Sequence, residues 1–157
     1  MTEALTSYLW QALPQLIAAF LGTLGFALLF KMKGIYMPFV AVVGLFTYAI
    51  FIILTFFGHS EFSSALISSM FSALFSEILA RTLKAPTFIF LTTVSVPIVP
   101  GSGLYYSMRY LLLQDFTNFA KAFKSTCSIS AGIVCGIIII SVVVKIFTAI
   151  KRKAFFD

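Results

Sequence analysis

The sequence predicts an all-α polytopic membrane protein: a single transmembrane domain over residues 1–157 with about five transmembrane helices, the fourth discontinuous at a Pro-x-x-Pro-Gly break, plus a short interfacial amphipathic helix. Three observations carry this. With 61% hydrophobic and 10% charged residues and a mean hydropathy of +1.06, the chain has too little polar surface to coat a soluble globule. The apolar residues fall into runs close to the ~20 needed to cross ~30 Å of hydrocarbon. The basic residues behind the net charge of +6 sit in small groups at the ends of those runs, not along one face. That distribution fits the positive-inside rule and speaks against a nucleic-acid partner.

The first span is expected at about 9–30. The N-terminal MTEALTSYLWQALPQ has no Lys or Arg, so the segment lacks the positive start of a cleaved signal peptide and is expected to be retained. Ala18, Gly22 and Gly25 form a strip of small residues expected to pack against another helix, and Tyr8 and Trp10 suit the interfacial belt. Lys31, Lys33 and Gly34 end this run. A second span follows at about 36–57, with Pro38 in its first turn, where a missing N–H costs little. The short GHSEF connection carries Glu61 and belongs on the side opposite the lysines.

A third span at about 62–80 is rich in serine. Ser64, Ser68, Ser72 and Ser76 recur every four residues and, with Ala65, Ala73 and Ala80, make one face small and polar. Met70, Phe71, Leu74, Phe75 and Ile78 make the opposite face bulky. The serine face is suited either to helix packing or to lining a polar cavity. Arg81, Lys84 and Pro86 close the segment.

The fourth apolar segment, about 87–113, would be ~40 Å long as one helix, more than the hydrocarbon requires. Pro97, Pro100, Gly101 and Gly103 interrupt it, which predicts two half-helices joined by an extended break near the middle of the membrane. Over 114–125, Phe116, Phe119, Ala120 and Phe123 alternate at helical spacing with Asp115, Asn118, Lys121 and Lys124, the pattern of a helix lying in the interface. The last span, 126–147, carries Gly132 and Gly136 as a small-xxx-small face. Its cysteines, Cys127 and Cys135, are two turns apart, too far for a disulfide within the helix, and are expected as a packed, reduced pair.

Five spans place Lys31, Lys33, Arg81, Lys84, Lys145, Lys151, Arg152 and Lys153 on one side. Arg109, Lys121 and Lys124 fall on the other, with Glu3, Glu61 and Asp115. The basic side is cytoplasmic by the positive-inside rule, so the N-terminus is expected outside and the C-terminus inside a bacterial inner membrane.

Two places could carry chemistry. Glu77, near the cytoplasmic end of the third span, could take up and release a proton, or pair with Arg81 one turn on. The break at Pro100, Gly101, Ser102 and Gly103 opens backbone N–H groups at the start of a half-helix, which attracts carboxylates. Tyr105, Tyr106 and Arg109 follow within two turns, Arg109 either as a carboxylate ligand or as an interfacial cation reaching water. No metal-ligand spacing occurs, no cofactor motif is present, and Ser102 has no histidine near it to act as a base, so an enzyme is not expected.

The run Glu77, Ala80, Arg81, Lys84, Ala85 and Pro86, followed by Pro97, Val99, Pro100, Gly101 and Tyr105, resembles the signature of the threonine/serine exporter family. It resembles most closely the small membrane subunit of the split form, related to the smaller component of the bacterial succinate exporter. Asp115 and the Gly132 to Gly136 spacing also match, and the likeness covers nearly the whole chain. The chain departs from the pattern at Thr92, Thr93 and Val94, where a glycine often sits. The resemblance implies a secondary transporter subunit exporting small hydrophilic amino acids or dicarboxylates together with a larger membrane subunit. With the reading of the residues, this makes the break the expected site of a small carboxylate-bearing substrate. A scaffold whose partner holds the site, or a small homo-oligomeric channel, are the competing expectations.

Overall fold

The computed structural model of the chain describes residues 2–153, with side chains described for Trp10 and for 12–150. The expectations for Glu3, Tyr8, Lys151, Arg152 and Lys153 therefore lie outside the described side chains. Six α-helices and one 3₁₀ turn make up the described chain: α1 (Thr2–Leu29), α2 (Met37–Phe56), α3 (Glu61–Leu83), α4 (Thr87–Ser95), the 3₁₀ turn Val96–Ile98, α5 (Gly101–Leu112) and α6 (Phe116–Lys153). Four helices are long and apolar enough to cross a membrane. The pair formed by α4 with its 3₁₀ turn and α5, bent by 55°, makes a fifth span if taken together. The protein is thus an all-α polytopic membrane protein.

Local chemistry sets the helix ends. Pro38 sits in the first turn of α2. Ser60 caps α3 by accepting the Ser63 N–H, and Pro86 precedes α4, where its missing N–H costs nothing. Three helices end on a non-glycine residue with positive φ, namely Lys31, Lys84 and Gln114, and α2 is followed by Gly58 in the same conformation. In all four turns the next amide reaches back to a carbonyl five residues earlier, as Ala85 N–H does to Ala80 O.

Packing follows the small residues, though not all of those expected. α1 meets α2 where Gly44 lies against the Thr23 side chain, leaving no room for a Cβ. The buried residues of α1 are Ala12, Ala19, Thr23 and Ala27. The expected strip of Ala18, Gly22 and Gly25 is bare within the chain: a Cβ added at Gly22 or Gly25 would meet nothing within 4 Å. The packing face is offset from it by one residue, because the Thr23 hydroxyl bonds its own Ala19 carbonyl and can be buried as if apolar.

α6 runs parallel to α3. Gly132 lies against the Phe62 carbonyl and Ala65, Gly136 against Ser69 and the Leu66 carbonyl, and Arg81 reaches Thr148. The Gly132–Gly136 face thus packs as expected, on the serine-rich face of α3. Ser64, Ser68, Ser69, Ser72 and Ser76 are all fully buried, so this face is a packing face. Ser68, Ser72 and Ser76 donate to carbonyls one turn back, and Ser72 also meets Ser95 of α4 at 3.2 Å. Ser95 of α4 thus lies level with Ser72, midway along α3.

Three further expectations change. The interfacial helix expected over 114–125 is not separate: α6 is continuous for 38 residues, ~57 Å at helical rise. Nothing in 116–131 breaks a helix, so the amphipathic turns continue into the apolar ones. Because Gly132 is level with the start of α3, residues 116–131 extend past that end, and α5 packs against them with Gly103 on Thr126. The break is also displaced from the expected middle. Ile98 packs with Ala65 and Ile133 near the start of α3, since α4 and the 3₁₀ turn together already cover most of its length. Finally, Cys127 and Cys135 are both free and exposed, because the glycines of α6 and not its cysteines face α3.

Candidate solute-binding site

The sequence places its candidate residues in two groups, and the fold keeps them apart. At the break, Val99 is extended and Pro100 has ψ 60°, so the helical hydrogen-bond ladder stops and restarts at Gly101. Of the four amides expected to be open, two are used: Gly101 N–H donates to Val99 O at 2.7 Å and Leu104 N–H to Pro100 O at 3.1 Å. Ser102 and Gly103 N–H have no partner among the described residues. Gly101 and Ser102 are exposed, while Gly103 is pressed against Thr126, which a side chain there would displace. Tyr105, Tyr106 and Arg109 are exposed on α5, the two tyrosine rings edge to face at 5.4 Å. Together these leave a short rim of unpaired N–H groups, a hydroxyl, phenols and a guanidinium, a combination that can hold a carboxylate.

The second group lies at the far end of α3. Glu77 and Arg81 form an i,i+4 ion pair at 3.6 Å, and Arg81 donates to the Thr148 hydroxyl at 2.7 Å. They border a groove of about 650 Å³ between α3 and α6, walled by Leu74, Ile78, Val143 and Phe147. The Arg81 side chain is 55% exposed and that of Glu77 23%. This groove is on the α6 side of α3, whereas Ser72 and the break are on the α4 side. The two groups therefore do not form one site.

A third place was not singled out from the sequence. Between α1, α2 and the 3₁₀ turn lies a groove of about 280 Å³ lined by Gln15, Ala18, Gly22, Tyr48, Val96 and Pro97. The Tyr48 hydroxyl donates to Gln15 Oε1 at 3.4 Å. A glutamine inside an otherwise apolar run was the available signal. Its partner, thirty-three positions away, was not visible from spacing. Among the described residues no cluster of His, Cys, Asp or Glu could hold a metal ion.

The family described as "Threonine/Serine exporter, ThrE" matches residues 15–143 of the chain. No curated protein and no solved structure matches it.

Proposed function

The chain belongs to the threonine/serine exporter family, and from that premise we propose that it is one membrane half of a secondary transporter that moves small carboxylate-bearing solutes outward. The solutes are hydroxy amino acids such as threonine and serine, or dicarboxylates such as succinate. The other half is a larger subunit of the same family. The observation that carries the reading is the interrupted fourth span. The break leaves the Ser102 and Gly103 N–H groups without a partner among the described residues at the start of α5, with Tyr105 and Arg109 on the turns that follow, and such open donors support an anionic occupant.

In this reading the Ser102 and Gly103 N–H groups, Tyr105 and Arg109 bind the substrate carboxylate, Pro100 and Gly101 form the break that leaves those donors open, and Gly103 also holds α5 against α6. Glu77 and Arg81 relay charge at the other end of α3. The separation of the two groups suits alternating access, in which one end of the bundle closes as the other opens. The basic residues Lys31, Lys33, Arg81 and Lys84, gathered at one end, support a cytoplasmic C-terminus in the inner membrane.

Glu77→Gln tests the relay. The variant is expected to assemble with the larger subunit and to exchange solute in counterflow, yet to lose proton-driven net export. Normal net export by E77Q rules the relay out.

A further inference from the structure

We infer that the groove between α1, α2 and the 3₁₀ turn is a binding site for the hydroxyl end of a small amino acid, with Gln15 and Tyr48 as the residues that read it. Gln15 is exposed and makes one hydrogen bond among the described residues, a long one at 3.4 Å from Tyr48. A primary amide offers two donors and two acceptor lone pairs, and burying such a group in hydrocarbon without partners costs ~4–8 kcal/mol. A glutamine facing this groove within the apolar length of α1 is therefore matched to something polar.

The size and charge of the groove narrow the occupant. At about 280 Å³ it lies just under the ~300–1,000 Å³ of pockets that take drug-sized molecules, so a single small solute fills it. Its walls are Ala18, Ala19, Gly22, Val96 and Pro97, with no cation among the lining residues. A carboxylate would enter unpaired, which disfavours a dicarboxylate's second acid group. A hydroxyl, which donates once and accepts twice, fits between the Gln15 amide and the Tyr48 phenol. Tyr48 is held for this role by stacking on Phe51, with ring centroids 6.2 Å apart.

The inference rests on the transporter reading, and the test separates the two. Equilibrium binding of labelled L-threonine and of 2-aminobutyrate, which has the same skeleton without the hydroxyl, is measured on the full chain in lipid nanodiscs. Wild type is compared with Tyr48→Phe, which keeps the stacked ring, and with Gln15→Leu. About a tenfold loss of threonine affinity is expected in each, the size a neutral hydrogen bond supplies, with 2-aminobutyrate binding unchanged. Equal losses for both solutes, no loss for either, or no saturable threonine binding by the wild type would overturn the groove as a hydroxyl site. Threonine counterflow through wild-type protein, run in parallel with the larger subunit, reports on the transporter reading independently. Counterflow that persists beside an unselective groove overturns only the present inference.

Discussion

Lysine stands twice where glycine would fit the backbone better. Lys31 (φ 51°) and Lys84 (φ 50°) both occupy the left-handed conformation that ends a helix, at about 1 kcal/mol or more each for a residue with a Cβ. Their charges lie at the same end of the bundle as Arg81, the end that the proposed topology places in the cytoplasm. Lys84→Gly is therefore expected to raise the thermal midpoint of the detergent-solubilised protein by a few degrees, while a lowered midpoint would show that the lysine stem packs. Glycines give a second contrast. A methyl at Gly136 would overlap Ser69 Oγ, whereas one at Gly22 would meet nothing. Gly136→Ala should cost about 1–3 kcal/mol by overpacking, and Gly22→Ala should be neutral, as read by unfolding of the two variants side by side. The Gly132–Gly136 spacing and the four-residue serine repeat were legible because each lies on one helix. The Gln15–Tyr48 pair and the offset of the α1 packing face were not, since they depend on how two helices rotate against each other.

At the scale of the element, α6 departs most from the sequence reading. Amphipathic and apolar turns were separable by composition, yet helix continuity depends only on the absence of a breaker, and none occurs between Phe116 and Lys153. The helix starts at Asp115, which accepts the Asn118 side-chain and backbone N–H groups. These hydrogen bonds, the side-chain one foremost, hold the Asp115 carboxyl below the ordinary carboxylate range. A depressed native pKa means that the cap stabilises above the unfolded-state value and that this contribution is lost as pH falls through the native one. Asp115→Asn should accordingly flatten the acid limb of the stability profile; an unchanged limb would mean the cap does not contribute. The exposed faces of Cys127 and Cys135 predict that a lipid-soluble maleimide modifies both thiols in the native protein. Modification only after unfolding would restore the packed pair that the sequence suggested. The break in the fourth span was legible because proline and glycine act locally. Its displacement towards one end of α3 was not, because that level depends on how α4 packs along α3, where Ser95 lies against Ser72.

For the whole molecule, the fold has short turns at both ends, a polar seam of buried hydroxyls between two apolar clusters, and three openings that do not merge. One apolar cluster joins Ala27, Met32, Val40, Ala80, Phe90 and Val94, and the other joins Ala65, Ile98 and Ile133. Such an arrangement buries few large side chains, so the bundle is held by close backbone approach and can shift without emptying a large core. The proposed direction rests on charge. With Cys127 and Cys135 first replaced by Ala, Glu61→Cys is expected to react with an impermeant thiol reagent in intact cells, and Lys33→Cys only after permeabilisation; the reverse pattern would invert the proposed topology. The central claim, that the interruption of the fourth span is a place where solute binds, is tested most directly at Gly101, which is exposed and has open space around it. Threonine counterflow is measured in liposomes holding the larger subunit with either wild-type chain or Gly101→Leu. The account predicts full assembly and at least a tenfold loss of counterflow in G101L. Wild-type counterflow by an assembled G101L complex would contradict it.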